Sequence, residues 1–135
     1  MFILAGVGRA QLEVLDNCVE ARRAVFDRYV EALVDIDGVR FMPKLEGTYS
    51  NRWLTALTLN PEKVMIKPYE LIDVLEAKSI EARPVWKPLH MQPLFEGCKF
   101  YSYAQNDVVS ERLFETGICL PSGSNMTIEQ QERVI

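Results

Sequence analysis

From residue 7 to residue 35, apolar side chains return every three or four positions, with charged residues between them. Leu15, Val19, Phe26, Tyr29 or Val30, and Leu33 mark the stripe. That period belongs to an amphipathic α-helix with one face made for burial. Arg22 falls on the same stripe, which predicts a buried aliphatic stem and a solvated head. Asp37-Gly38 supplies a helix stop and turn. A helix this long cannot cover its own stripe, so the rest of the chain must supply a second layer.

That layer reads as short strands alternating with helices. "VRFMP", residues 39–43, is a short strand closed by Pro43. "NRWLTALTL", residues 51–59, is the clearest strand and is ended by Asn60-Pro61. "KPYELIDVLEAKS", residues 67–79, is a helix with Pro68 near its first turn, where a missing N–H costs nothing. Leu71, Val74 and Leu75 are its expected buried stripe. In "IEARPVW", residues 80–86, Ile80, Ala82 and Pro84 share one side of a strand. Pro84 and Pro88 place its far half at a sheet edge or outside the ladder.

"DVVSERLFETG", residues 107–117, is a helix ended by Gly117 as a C′ residue, and "ICLP" is a further strand. Thr127 and Gln130 form a T-x-x-Q capping box that opens a last helix. Its apolar Val134 and Ile135 suggest a stripe cut at a boundary. The expected fold is α/β in the broad sense: a two-layer α+β module with a small sheet, helices on one face, and a long first helix lying across the sheet or projecting from it.

A chain of 135 residues predicts one domain. The net charge of -4 gives no basic footprint, so bulk nucleic-acid binding is set aside and only a local patch stays open. Cys18, Cys98 and Cys119 are an odd set without C-x-x-C spacing, which argues against a disulfide framework and a zinc site. A reducing, cytoplasmic compartment fits best. No apolar run approaches the ~20 residues of a membrane span. "MFILAGVG" lacks the basic n-region of a signal peptide.

The densest chemistry lies in "ARPVWKPLHMQP", residues 82–93. It holds the only histidine, His90, with Arg83, Trp86 and Lys87. Cationic side chains beside an aromatic suit a phosphate-bearing ligand with a stackable base; an irregular structural segment is the other reading. A Ser-His-Asp or Cys-His arrangement would have to use His90, yet no G-x-S-x-G elbow is present. Gly6 and Gly8 begin a G-x-G, but the third glycine of a dinucleotide fingerprint would fall at Gln11 and no strand precedes it. Close helix packing is the simpler reading. "PSGSNMT" leads into a capped helix and could hold an anion on backbone N–H groups, or merely make the turn. Lys44, Lys63, Lys67, Lys78, Lys87 and Lys99 all sit in polar settings, with none in the apolar surroundings that depress a lysine pKa.

Taken in order, "LAGVGRAQLEVLD", "SNRWLTALTL", "EARPVWKPLHMQP" and "LFETGICLPSGSNMT" resemble the C-terminal part of the DegT/DnrJ/EryC1/StrS aminotransferases. These are pyridoxal-phosphate enzymes that aminate keto sugars carried on nucleotides. The pairing of R-P-x-W-K-P-x-H-x-Q with L-P-S-G-S-x-M-T carries the resemblance, which spans essentially the whole chain. The variant pattern looks most like enzymes acting on UDP-linked 4-keto-6-deoxy sugars.

The resemblance implies a fold-type I enzyme much longer than this chain. Residues 1–135 would be its small C-terminal domain, with a short, mostly antiparallel sheet. The large N-terminal domain, absent from this chain, would carry the cofactor lysine and most cofactor contacts. No catalytic or cofactor-binding residue is then expected here, and pyridoxal phosphate would belong to the full-length enzyme and not to this chain alone. Amine would pass, commonly from glutamate, to a 4-keto sugar nucleotide in the synthesis of cell-surface polysaccharide. Arg83, Trp86, Lys87 and His90 would line the substrate side of a cleft in a cytoplasmic homodimer. Arg83 and Lys87 would answer to the diphosphate, Trp86 and His90 to the sugar or nucleotide. The alternative is a stand-alone binding or dimerisation module without catalysis, supported by the initiating "MFI".

Overall fold

A computed structural model describes residues 2–104 and 107–135 of the chain. The segment expected as one long helix is two: α1 (Phe2–Glu13) and α2 (Leu15–Leu33). Val14 separates them at φ -110° and ψ 3°, outside helical geometry. No proline or glycine marks the break. The stripe is buried only in its second half. Val25, Phe26 and Tyr29 of α2 are buried, whereas α1 buries nothing.

Four strands form one antiparallel sheet in the order β1-β2-β4-β3: β1 (Val39–Phe41), β2 (Thr55–Leu59), β3 (Arg83–Pro84) and β4 (Gly117–Leu120). The register sets Leu57 opposite both Phe41 and Ile118, and Thr55 opposite Leu120. Side chains alternate across a strand, so Thr55, Leu57 and Leu59 face inward with Ile118 and Leu120. Against this face pack Val25 and Tyr29 of α2, Leu75 of α3 (Pro68–Ala77), and Ile80. A buried leucine or isoleucine of this kind contributes about 1.5–3 kcal/mol. The other face bears Arg40, Ala56 and Thr58, with Val85 and Leu113 beside them in a shallow groove. Leu113 comes from α4 (Val109–Thr116).

Several local expectations shift. Val74 of α3 is half exposed, and Ile72 packs on the core in its place. Residues 51–54 do not join β2, because Arg52 takes φ 47°, in the left-handed region. "IEARPVW" pairs through Arg83 and Pro84, against Cys119 and Ile118, and Val85 N–H donates to the Gly117 carbonyl at 3.3 Å, in keeping with a short proline-bearing edge. Gly117 is extended and opens β4, so it is not a left-handed helix cap. It is needed for space instead: a Cβ there would collide with the Leu113 carbonyl oxygen and stand 2.5 Å from Val85 Cγ2. Gly6 and Gly8 lie within α1 with none of the described residues within 4 Å of a Cβ, so no described neighbour requires their smallness.

The capping box forms as expected at α5 (Ile128–Glu132), with Gln130 N–H donating to Thr127 Oγ1 at 3.1 Å. This short helix is tied to α2 by Gln131, which is almost fully buried. Gln131 Nε2 donates to the Val25 carbonyl at 2.8 Å, and its Oε1 accepts from Arg28 Nε at 2.6 Å. Among the described residues, no helix is long and apolar enough to cross a membrane.

Candidate functional site

A cleft of about 500 Å³ opens where β2 begins, β4 ends and β3 begins. Arg22, Trp53, Arg83, Ser122 and Arg133 are among its lining residues. Arg22 of α2 is half-buried, and its head is spent on backbone carbonyls where the stripe predicted a solvated one. Its Nη1 donates to the carbonyls of Trp53 and Ser122, the latter at 3.1 Å. Ser122 Oγ donates to the same Trp53 carbonyl at 3.3 Å and accepts from Thr55 N–H at 3.4 Å. The "PSGSNMT" segment therefore locks the start of β2 to the end of β4. With its hydroxyl spent on those contacts and only a five-residue helix following, it makes the turn.

The segment before β2 is held by side chains from afar. Arg23 Nη1 donates to the Ser50 carbonyl at 2.6 Å, with its guanidinium 4.5 Å from the Tyr49 ring centre. Arg52 turns inward, its guanidinium 3.7 Å from the Phe26 ring centre and its Nη1 donating to the Met42 carbonyl at 3.0 Å. Burial, and then the Arg23 charge, push this guanidinium below its ordinary value, with Asp27 opposing. Trp53, the next residue, turns outward.

The four residues expected as a substrate strip occupy distinct settings. Arg83 opens on the cleft, and its Nε donates to the Glu81 carboxylate at 2.8 Å. Trp86 stands beside Trp53, ring centres 6.2 Å apart and planes tilted by 33°. Lys87 is exposed, and its carbonyl accepts from Gln92 Nε2 at 3.2 Å. His90 is half-buried and turned toward α4. Its Nε2 meets a Glu111 carboxylate oxygen at 2.8 Å, which requires the ring N–H to donate, and its ring stacks on Phe100 at 3.7 Å. Arg83, Trp86 and the cleft thus come together through Trp53, while His90 has its own pocket of contacts. Trp53, Arg22, Arg133 and Glu111 were not singled out from the sequence as site residues; only Trp53 carried a signal, as the chain's second tryptophan.

All six lysines are exposed, none lines the arginine cleft, and Lys63 is engaged with Asp37 at 2.6 Å. The described residues therefore offer no enclosed amine to hold pyridoxal phosphate. They also contain no cluster of histidine, cysteine and carboxylate fit for a metal ion. The cysteines are free, and burial pushes the Cys119 thiol up.

The sequence model of the DegT/DnrJ/EryC1/StrS aminotransferase family matches residues 2–135. The chain belongs to that family. EpsN of Bacillus subtilis (strain 168), provisionally named a pyridoxal phosphate-dependent aminotransferase, is 58% identical over 98% of the chain and 34% of its own length. GDP-perosamine synthase of Vibrio cholerae is 28% identical over 98% of the chain and 35% of its length. Among solved structures, Spr1654 of Streptococcus pneumoniae, provisionally named a sugar aminotransferase and solved in its PLP form, superposes with a TM-score of 0.81. It is 20% identical over 99% of the chain and 33% of its own, so the likeness speaks for the fold. This chain of the DegT/DnrJ/EryC1/StrS family spans about a third of the length of the relatives it matches.

Proposed function

We propose that residues 1–135 act as the C-terminal small domain of a pyridoxal-phosphate-dependent nucleotide-sugar aminotransferase. The family match over residues 2–135, against about a third of each relative's length, carries this reading. In it, a large N-terminal domain supplies the cofactor site, and the functional enzyme is a cytoplasmic homodimer serving cell-surface polysaccharide synthesis. The cofactor supplies the electron sink for amino transfer, here from glutamate to a 4-keto-6-deoxy sugar nucleotide.

This chain's part is to form one wall of the substrate cleft. Arg83 and Lys87 present charge to the diphosphate, Arg83 through the guanidinium donors that Glu81, held by its Nε and Nη2, leaves open. Trp86 gives an apolar face. His90, held by Glu111 and Phe100, borders the sugar region through its remaining edge. The described residues offer no enclosed amine and form one wall only, so the chain alone should not catalyse.

The test is direct. The chain incubated with pyridoxal phosphate should give no lysine-dependent visible absorbance band and no amino transfer. A stable band abolished by replacing one of the six lysines would sink the division of labour. In the longer polypeptide, Arg83→Ala and Trp86→Ala should raise KM for the nucleotide sugar; unchanged KM and kcat in both would remove the strip from the site.

A further inference from the structure

Trp53 is an exposed aromatic on a rigid mount. The residue is 59% exposed, yet its backbone is pinned on both sides. Its carbonyl accepts from Arg22 Nη1 and Ser122 Oγ, and its N–H donates to Asn51 Oδ1 at 3.1 Å. The residue before it, Arg52, sits at φ 47°, which costs about 1–3 kcal/mol for a side chain of this kind. That backbone sends Arg52 inward onto Phe26 and Trp53 outward. Three hydrogen bonds and a strained neighbour therefore fix the backbone that presents this indole to solvent.

The surroundings say what such an indole suits. Trp86, also exposed, lies 6.2 Å away, within the range of an offset aromatic pair. Ring centres this close leave no room for a third planar group between them, so it would lie across their outer face. Trp53 also lines the cleft that holds Arg22, Arg83 and Arg133 against a single carboxylate, Glu81. A cationic cleft in a chain of net charge -4 is a local reversal of sign. Arg22 makes both its bonds through Nη1, and Arg133 donates to the Lys78 carbonyl through Nη2 at 3.2 Å. Donors on both guanidinium groups are thus left over for an oxyanion.

We propose that Trp53 is a ligand-binding residue: with Trp86 it forms a platform for the nucleobase, while the Arg22–Arg83–Arg133 cleft takes the attached diphosphate. This deepens the reading above and rests on it for the class of ligand. It adds a residue outside the 82–93 strip and assigns base and phosphate to adjoining surfaces. Stacking of this kind tolerates different bases.

The experiment is a titration of the chain with GDP and, separately, with inorganic pyrophosphate. Trp53 and Trp86 are the only tryptophans, so intrinsic fluorescence reports on the platform directly, with calorimetry giving affinities. GDP is expected to quench saturably in the millimolar range or tighter, and pyrophosphate to bind without quenching. Trp53→Ala should weaken GDP binding about five- to a hundredfold, the usual range for a lost stacking partner, and leave pyrophosphate within about twofold. Trp53→Phe, which keeps a ring, should restore most of the affinity and guards against misfolding. No saturable quenching up to about 10 mM GDP, or unchanged GDP affinity in Trp53→Ala, overturns the proposal. If Arg83→Ala and Trp86→Ala weaken GDP binding but Trp53→Ala does not, the strip stands and the role of Trp53 falls. The reverse pattern, with neither Trp86→Ala nor Arg83→Ala having an effect, overturns the shared platform and the diphosphate cleft.

Discussion

Replacing Tyr29 by phenylalanine should change the stability of this chain in opposite directions at neutral and at high pH. The Tyr29 ring is fully buried in the core, and its hydroxyl donates to the Pro121 carbonyl at 3.0 Å, with Met126 Sδ at 3.9 Å. Losing that bond at pH 8 should cost about 0.5–1.5 kcal/mol. Burial also pushes the Tyr29 hydroxyl from 10.0 up to about 12, against a smaller lowering by Arg28. The folded state then holds the proton where the unfolded chain releases it. The stability tied to this group is complete below pH 10 and is lost as pH rises toward 12. Two units at about 1.36 kcal/mol each set an upper bound near 2.7 kcal/mol. Urea unfolding of both proteins at pH 8, 10 and 11.5 isolates the effect, because every other titrating group cancels in the difference. Wild type should be more stable at pH 8, and the variant should match or exceed it at the highest pH. A difference that stays constant across this range would refute the argument from burial.

Other outcomes follow from single contacts. Gly117→Ala forces a Cβ onto the Leu113 carbonyl and Val85, and should lower unfolding free energy by about 1–3 kcal/mol in denaturant titration. Thr55→Val should be neutral or stabilising by up to about 1 kcal/mol, because Thr55 Oγ1 is buried without a partner among the described residues. Gln131→Ala should cost about 1–3 kcal/mol by freeing Arg28 and the Val25 carbonyl from their shared partner. The chain should self-associate through α1, where Phe2, Ile3, Leu4 and Leu12 are exposed. Replacing the first three by serine should shift sedimentation toward monomer, and a clean monomer in the parent protein would contradict this.

What could be read from the sequence was what depends on neighbours in the chain. The Thr127–Gln130 cap, Pro68 at a helix start, and the proline-bearing edge at Pro84 each follow from a few adjacent residues. The break at Val14 carried no such mark. The early end of β2 was hidden because Arg52 at positive φ is stabilised by Phe26 and Met42, not by its sequence neighbours. The site divided in the same way. Trp86 and Arg83 stood out as a cluster, but Arg22 reaches Ser122 a hundred positions away, and Glu111 reaches His90 across twenty-one. Such pairings arise from topology, which places β4 beside both β2 and β3, and no periodicity encodes them.

The strand order has a consequence for how this domain comes into being. β4 lies between β2 and β3, yet it is the last strand in the chain. As the polypeptide leaves the ribosome, β2 can pair only with β1, and β3 has no partner until residues 117–120 emerge. The sheet is therefore completed from its middle and late. Before that moment Leu57, Leu59 and Ile80 lack the strand that packs with them, so the incomplete sheet exposes apolar surface of the kind that favours aggregation. In the finished sheet the two-residue β3, with Pro84 in it, is an edge that offers little on which a second chain could pair.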